Sequence, residues 1–265
     1  YAQHCPLEPH VTTTYFDEHG RLIILTSTQV PFHARRLTAR ALDIPVKNIR
    51  VIKPRIGGGF GAKQEVLLEP LCAALTLATQ RPVCIELSRS EEFISSRTRH
   101  PIITHMDSGV RSAGLLLATR MKVLSNTGAY GSHALTVAMN CGSKSLPLYH
   151  APNVGFTCET VYTNLPVPGA YRGYGGTQAS FAQEMQMDEL AELLDMDPLE
   201  FRLKNAISAG EGSPVFRALG EGTEGVEQTV DSCGLARCIE LGAEAIGWHK
   251  KQRRYRKRSR KGAKR

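Results

Sequence analysis

Hydrophobic and polar positions along the 265 residues alternate with two different periods, and the switches between them mark the elements. Val11–Tyr15 and Leu22–Thr26 are β-branched or apolar runs flanking Asp17-Glu18-His19-Gly20, which predicts two strands joined by a turn. From Pro31 to Leu42 the spacing is helical: Phe32, Leu37, Ala41 and Leu42 can share a face, and Pro31 suits a first turn. A short strand, Ile49–Ile52, leads into the glycine run Gly57–Gly61. Glu65–Thr79 is nearly all apolar between Val66 and Ala78 and predicts a buried helix, with Pro70 moving its start toward Leu68. Val83–Leu87 reads as a strand, and Ser90-Glu91-Glu92 opens a short helix with capping character.

Leu115–Leu124 predicts a long strand beside Gly109 and Gly114, which favour a hairpin. The stretch Ser125–Gly155 is rich in Gly, Asn, Ser and His and reads as irregular, and Phe156–Tyr162 is again a strand. A second glycine-rich segment, Gly169–Gly176, runs into a helix over about Thr177–Leu194. Its acidic face (Glu184, Asp188, Glu189, Glu192) is expected in solvent, with Phe181, Met185 and Leu193 opposite. Asp197-Pro198 pairs a capping residue with a first-turn proline and starts a helix ending near Asn205. Gly210–Gly225 reads as a loop, and Leu235, Ile239, Ala243 and Ile246 mark one more amphipathic helix. Strands and helices alternate without regular βαβ units, so the expected class is α+β, with mixed sheets and packed helices.

Charge changes this picture only at the end of the chain. The formal net charge is +8, yet residues 249–265 hold eleven Lys or Arg and no acid. The rest carries 22 basic and 25 acidic residues, a net of −3. A mildly acidic domain, 1–248, is therefore expected ahead of a solvated, disordered basic tail, 249–265, and nucleic acid is not the expected partner. Seven cysteines form no C-x-x-C pair, and Cys84 lies in an apolar run where a thiol acts as a small hydrophobe. The odd cysteine count and the lack of a signal peptide make a reducing cytoplasm the expected location, and no apolar stretch approaches the roughly 20 residues of a membrane span. His100, His105, His133 and His150 are scattered and read as surface or capping residues.

Two glycine-rich turns carry the candidate chemistry. Gly57-Gly58-Gly59-Phe60-Gly61-Ala62-Lys63 sits between a strand and a helix, where glycines let backbone N–H groups approach an anionic or electron-rich ligand. A phosphate-binding Walker loop fails, since it needs Gly at Ala62 and Ser or Thr at Gln64. Gly57, Gly59 and Ala62 do satisfy a dinucleotide fingerprint, with Glu86 as the ribose-binding acid, so a Rossmann-type reading stays open on this turn alone. The second turn, Ala170-Tyr171-Arg172-Gly173-Tyr174-Gly175-Gly176, brackets an arginine with two aromatics, which a dinucleotide fold does not call for.

Taken with Ser27-Thr28-Gln29, His4-Cys5-Pro6-Leu7-Glu8-Pro9-His10 and Met196-Asp197-Pro198-Leu199-Glu200-Phe201-Arg202, these turns resemble the molybdenum subunit of the xanthine dehydrogenase and aldehyde oxidase family. The likeness runs from Tyr1 to roughly Trp248 and implies the first cofactor-binding half of such a subunit. It implies a molybdenum ion held by the dithiolene of a molybdopterin, as the cytosine dinucleotide or a related form, and not by side chains. By the same resemblance, the cofactor-binding residues are Gln29, Gly59, Phe60, Gly61 and Arg172, with Gln29, Phe60 and Arg172 near the molybdenum. Gln64, Asn140 and Tyr174 fall at substrate-binding positions; xanthine-specific members have an acid where Gln64 stands, and some members place an Arg where Asn140 stands.

The implied reaction is hydroxylation of an aromatic N-heterocycle or an aldehyde with water as oxygen source, using a glutamate base. No glutamate of this chain matches that base, so the expectation is an incomplete hydroxylase, inactive alone. The resemblance further implies 2Fe-2S and FAD groups on partner subunits and a C-terminal molybdenum-binding half. A catalytically dead, truncated chain acting as an interaction module is the other open reading.

Overall fold

The computed structural model describes residues 2–220 and 224–252. Its first sheet has four strands, β1 (Val11–Phe16), β2 (Leu22–Thr26), β3 (Ile49–Ile52) and β4 (Val83–Glu86), in the order β3-β2-β1-β4. β1 pairs antiparallel with both β2 and β4, while β2 and β3 are parallel and joined through helix α1 (Pro31–Ala41). This topology is not the doubly wound parallel sheet that a Rossmann-type site requires, and the dinucleotide reading falls with it. The β1–β2 turn forms because Gly20 takes φ +72° and the Asp17 carboxylate accepts from the backbone of His19 and Arg21.

Leu22, Ile24, Ala39, Ile49 and Ala73 make the core of this sheet, between α1 and α2 (Glu69–Thr79). β1 turns threonines inward instead of aliphatic residues. The Thr14 hydroxyl meets the Cys72 carbonyl at 2.9 Å and the Thr76 hydroxyl at 2.7 Å, and Thr12 meets Thr26 at 2.8 Å. Each hydroxyl has a partner, so burial costs little. Pro70 does set the start of α2, as the sequence predicts. Helix α3 (Arg89–Ser95) starts two residues earlier than expected: Ser88, not Ser90, is the cap, and Glu91 closes a capping box with it.

A second, three-stranded sheet has the order β5-β6-β7, formed by Ile102–Val110, Leu116–Asn126 and Asn153–Val161. Between β6 and β7 the sequence predicts irregular structure, but Ala134–Ser145 is a helix, α4. The physical reason is Gly142: a Cβ there would lie 2.8 Å from both Phe156 and Leu219, so this glycine permits close packing and does not break the helix. Helices α5 (Gly176–Leu193) and α6 (Pro198–Asn205) follow, the latter capped by Asp197 as expected. The expected loop after Gly210 contains a short helix, α7 (Pro214–Ala218), capped by Ser213 with Pro214 in its first turn. Helix α8 (Leu235–Ala245) stands where predicted.

Contacts divide the chain into two compact units. The first comprises Tyr1–Ile103, Val123–Ala138 and Cys158–Thr177; the second comprises Thr104–Lys122, Met139–Thr157 and Gln178 onward. In the second, Leu116, Tyr149, Met187, Leu190 and Phe201 form the core. On α5 the acidic residues Asp188, Glu189 and Glu192 are exposed as expected, but the apolar residues opposite them are exposed as well. Phe181 and Leu193 are 71% and 82% exposed, while Ala179, Gln183, Met187, Leu190 and Ala191 are buried. Glu184 and Asp188 are not simply solvated: both pair with Arg202 of α6, at 2.6 and 2.7 Å, and the Tyr149 hydroxyl donates to Glu184. Cys84 is exposed, because β4 is an edge strand, and His100 is buried, against both expectations. Of the basic tail, residues 249–252 are helical, and the remainder lies outside the described residues. Among the described residues, no helix is long and apolar enough to cross a membrane.

Candidate functional site

The first glycine turn is built on left-handed backbone. Gly58, Phe60 and Gly61 have φ of +94°, +53° and +103°. A Cβ at Gly61 would lie 2.5 Å from the Ala170 carbonyl oxygen, and one at Gly59 would overlap the Gln29 side chain. Glycine is thus required at 61 both by conformation and by the approach of the second turn. Phe60 holds the same region with a side chain, a strained position of the kind found at functional sites, and its ring is half exposed.

Buried groups hold the turn in place. Lys63 has a fully buried side chain whose Nζ donates to the Glu8 carbonyl and to Glu8 Oε2, both at 2.8 Å. Glu8 Oε2 also accepts from Ser27 Oγ and from the Gly57 backbone N–H, each at 2.8 Å. Burial alone would raise the Glu8 pKa; the hydrogen bonds from Lys63, Gly57 and Ser27 outweigh it and hold the carboxyl below its usual range. The opening segment therefore braces the turn from beneath, with Gly57 tied twice to Glu8.

Gln29 lies just past the end of β2. Its Oε1 accepts from the Gly61 N–H at 3.0 Å, and its backbone N–H donates to the Lys63 carbonyl at 2.7 Å. The Nε2 amide of Gln29 and the N–H groups of Gly58, Gly59 and Phe60 have no partner among the described residues.

The second turn meets the first directly. The Arg172 N–H donates to the Phe60 carbonyl at 2.9 Å. Tyr171 is clasped between the His4 ring, 4.0 Å between centroids, and the Arg99 guanidinium, 4.0 Å from its centroid. Arg99 also donates to the Arg172 carbonyl and the Thr177 hydroxyl. His4, buried between the Arg97 and Ala170 carbonyls, is pushed by desolvation below the usual imidazole range, with those carbonyls partly offsetting the effect. The exposed Arg172 guanidinium has no partner among the described residues.

Beside these turns a third cluster lies around Glu65. Its carboxylate accepts from Ser132 Oγ and from His133 Nδ1 (2.8 Å), with Arg97 Nε at 3.8 Å. Burial would raise this carboxyl, but the hydrogen bonds from His133 and Ser132 dominate and lower it. The His133 ring faces Tyr174 with centroids 6.3 Å apart. Gln64 and Tyr174 are both half-buried in this first unit. Asn140 is not brought to them within that unit: it lies buried in the second, on α4, where its Oδ1 accepts from Ser143.

The first unit thus gathers Gln29, Gly59, Phe60, Gly61, Gln64, Arg172 and Tyr174. Sequence reasoning missed their supports, Lys63, Glu65, His133 and Arg99. Each is a polar or charged residue whose partner lies far along the chain, so spacing held no signal for them. Among the described residues, no group of three or more His, Cys, Asp or Glu side chains could hold a metal ion. What the turns do offer is a set of unpaired donors on a rigid frame: an amide, successive backbone N–H groups and a guanidinium. That set fits an anionic cofactor rich in hydrogen-bond acceptors.

Residues 1–206 match the molybdopterin cofactor-binding domain. The chain belongs to that family. It is 43% identical over 248 residues to a protein named probable hypoxanthine oxidase from Escherichia coli O157:H7, covering 93% of this chain and 26% of that one. It is 35% identical over 247 residues to the nicotinate dehydrogenase large molybdopterin subunit of Eubacterium barkeri, covering 93% and 57%. The fold matches the aldehyde oxidoreductase of Desulfovibrio desulfuricans with a TM-score of 0.82 at 27% identity, over 95% of this chain and 27% of that one. The chain therefore spans about a quarter to just over half the length of these relatives.

Proposed function

We propose that this chain forms one wall of the active site of a molybdopterin-dependent hydroxylase acting on an aromatic N-heterocycle or an aldehyde. The observation that carries this is the junction of the two turns, where Arg172 N–H donates to the Phe60 carbonyl and Gly61 packs against Ala170. In this reading Gln29 Nε2, the N–H groups around Gly59 and Phe60, and the Arg172 guanidinium donate to the cofactor. When bound, the molybdenum group supplies the oxidising power for hydroxylation with water as oxygen source.

The chain's own residues bind, orient and exclude water. The Phe60 ring and Tyr174 offer apolar faces to a flat substrate, and the Gln64 amide offers both a donor and an acceptor. Asn140 is carried as a further substrate-side amide on the resemblance alone. The hypoxanthine and nicotinate named for two relatives favour a heterocycle over an aldehyde. No glutamate here matches the family's base, so turnover is proposed to need the remaining length that the relatives have. It is also proposed to need partner iron–sulfur and FAD groups, in a cytoplasmic assembly carrying the cytosine dinucleotide form of the cofactor.

The test is metal and pterin analysis of the full-length subunit containing this chain. About one molybdenum and one pterin per subunit are expected, with a large loss in Gln29→Ala and Arg172→Ala. A well-folded subunit with neither molybdenum nor pterin would overturn the reading. Turnover by the 265-residue chain alone would overturn its incompleteness.

A further inference from the structure

We propose that the open groove between α1 and β3 is a nucleotide-binding site, taking a nucleoside di- or triphosphate by its phosphates. The groove has a volume of about 400 Å³, within the usual range for small-molecule sites. Five cations line it, Arg21, Arg35, Lys47, Arg50 and Lys53, and no carboxylate does. The chain ahead of its tail carries a net charge of −3, so this concentration runs against the surrounding balance.

Two of the cations are held in place. Arg21 Nε is 3.1 Å from Asp17, and Arg35 Nε donates to the Val46 carbonyl at 3.1 Å. Lys47, Arg50 and Lys53 are exposed and have no partner among the described residues. Fixed guanidiniums with unpaired cations beside them match the oxygens of a polyphosphate. The start of α1 adds to the positive field: its first turn has no acid, and Val30 makes no side-chain cap.

The remaining lining is apolar. Phe32 stands 76% exposed at the head of α1, with Pro31, Ile49 and Val51 completing the groove. A Phe ring left in water beside a polycation suits a ligand that joins a flat base to phosphates. None of these residues belongs to the glycine turns, so the inference stands independently of the molybdopterin reading. The bland alternative is edge protection. β3 is a short edge strand, and cations on such an edge discourage pairing with another chain without binding anything.

Calorimetry on the full chain with ATP, tripolyphosphate and a poly-glutamate peptide separates these readings. The expected result is saturable binding of one ATP per chain, weakened at least ~10-fold by Arg50→Glu/Lys53→Glu with the melting temperature unchanged. Phe32→Ala should weaken ATP several-fold while leaving tripolyphosphate unaffected. The basic tail is intact in every variant, so ATP binding that survives the double reversal would belong to the tail and overturn the site. Absence of saturable ATP binding, or a poly-glutamate peptide binding more tightly than ATP, would also overturn it. Equal ATP affinity in Phe32→Ala would overturn recognition of a nucleotide.

Discussion

Lys63 shows how far a single residue can govern the cofactor turn. Its ammonium group is wholly buried and donates to the Glu8 carbonyl and the Glu8 carboxylate instead of to a ligand. Replacing it with Met leaves the Glu8 carboxylate with only Ser27 and Gly57 as donors. A loss of about 1–3 kcal/mol in urea unfolding is expected, with Glu8→Gln in the same chain recovering part of it. His100 provides a second residue-level test. Burial drives its pKa to about 4, partly offset by a hydrogen bond at Gly169, against an ordinary value of 6.5. The folded state thus holds this imidazole neutral where the unfolded chain protonates it, and stability falls as pH drops from 6.5 toward 4. The contribution lost is on the order of 3 kcal/mol, and denaturation midpoints measured across that window should fall less steeply in His100→Gln.

At the scale of elements, the two glycine turns were legible because their demands are local, but the reason for each glycine became visible only in three dimensions. Gly61 is read from sequence as a residue letting the backbone approach a ligand, yet its nearest constraint is another turn of the same chain, at Ala170. Gly61→Ala should therefore separate the turns even without cofactor. A loss of about 2–4 kcal/mol is expected, from a strained φ of +103° plus the collision, with a drop in melting temperature of the cofactor-free protein. An unchanged melting temperature would mean that the turns part at no cost. Helix α4 was hidden by its Gly, Ser and Asn content, because Gly142 serves helix packing, which no single-chain pattern reports. The buried face of α5 was misread for a related reason: small and polar residues, Ala179 and Gln183 among them, take the buried side, and amphipathic spacing cannot register a core made of such residues. The supports Glu65 and His133 stand 68 positions apart and were illegible on the same ground.

At the scale of the molecule, the apolar residues that α5 leaves in water bear on what surrounds this chain. Phe181, Met185 and Leu193 are 71%, 48% and 82% exposed, and Phe181 and Met185 stand one helical turn apart. Scattered exposed apolar residues are ordinary, but two aromatic or thioether side chains stacked on one helix face form a patch that water disfavours. The relatives are longer than this chain, and the aldehyde oxidoreductase is almost four times its matched length, so there is ample further protein in such subunits to cover this face. The 265-residue chain by itself is therefore expected to self-associate through α5. Sedimentation at rising concentration should show growth in mass, and Phe181→Ser/Leu193→Ser should reduce it without lowering the melting temperature, since neither side chain contributes to the core. In the full-length subunit the same double substitution should instead lower stability, because there it would remove buried contacts worth roughly 1.5–3 kcal/mol each. If the substitution is silent in both settings, α5 faces solvent in the whole protein.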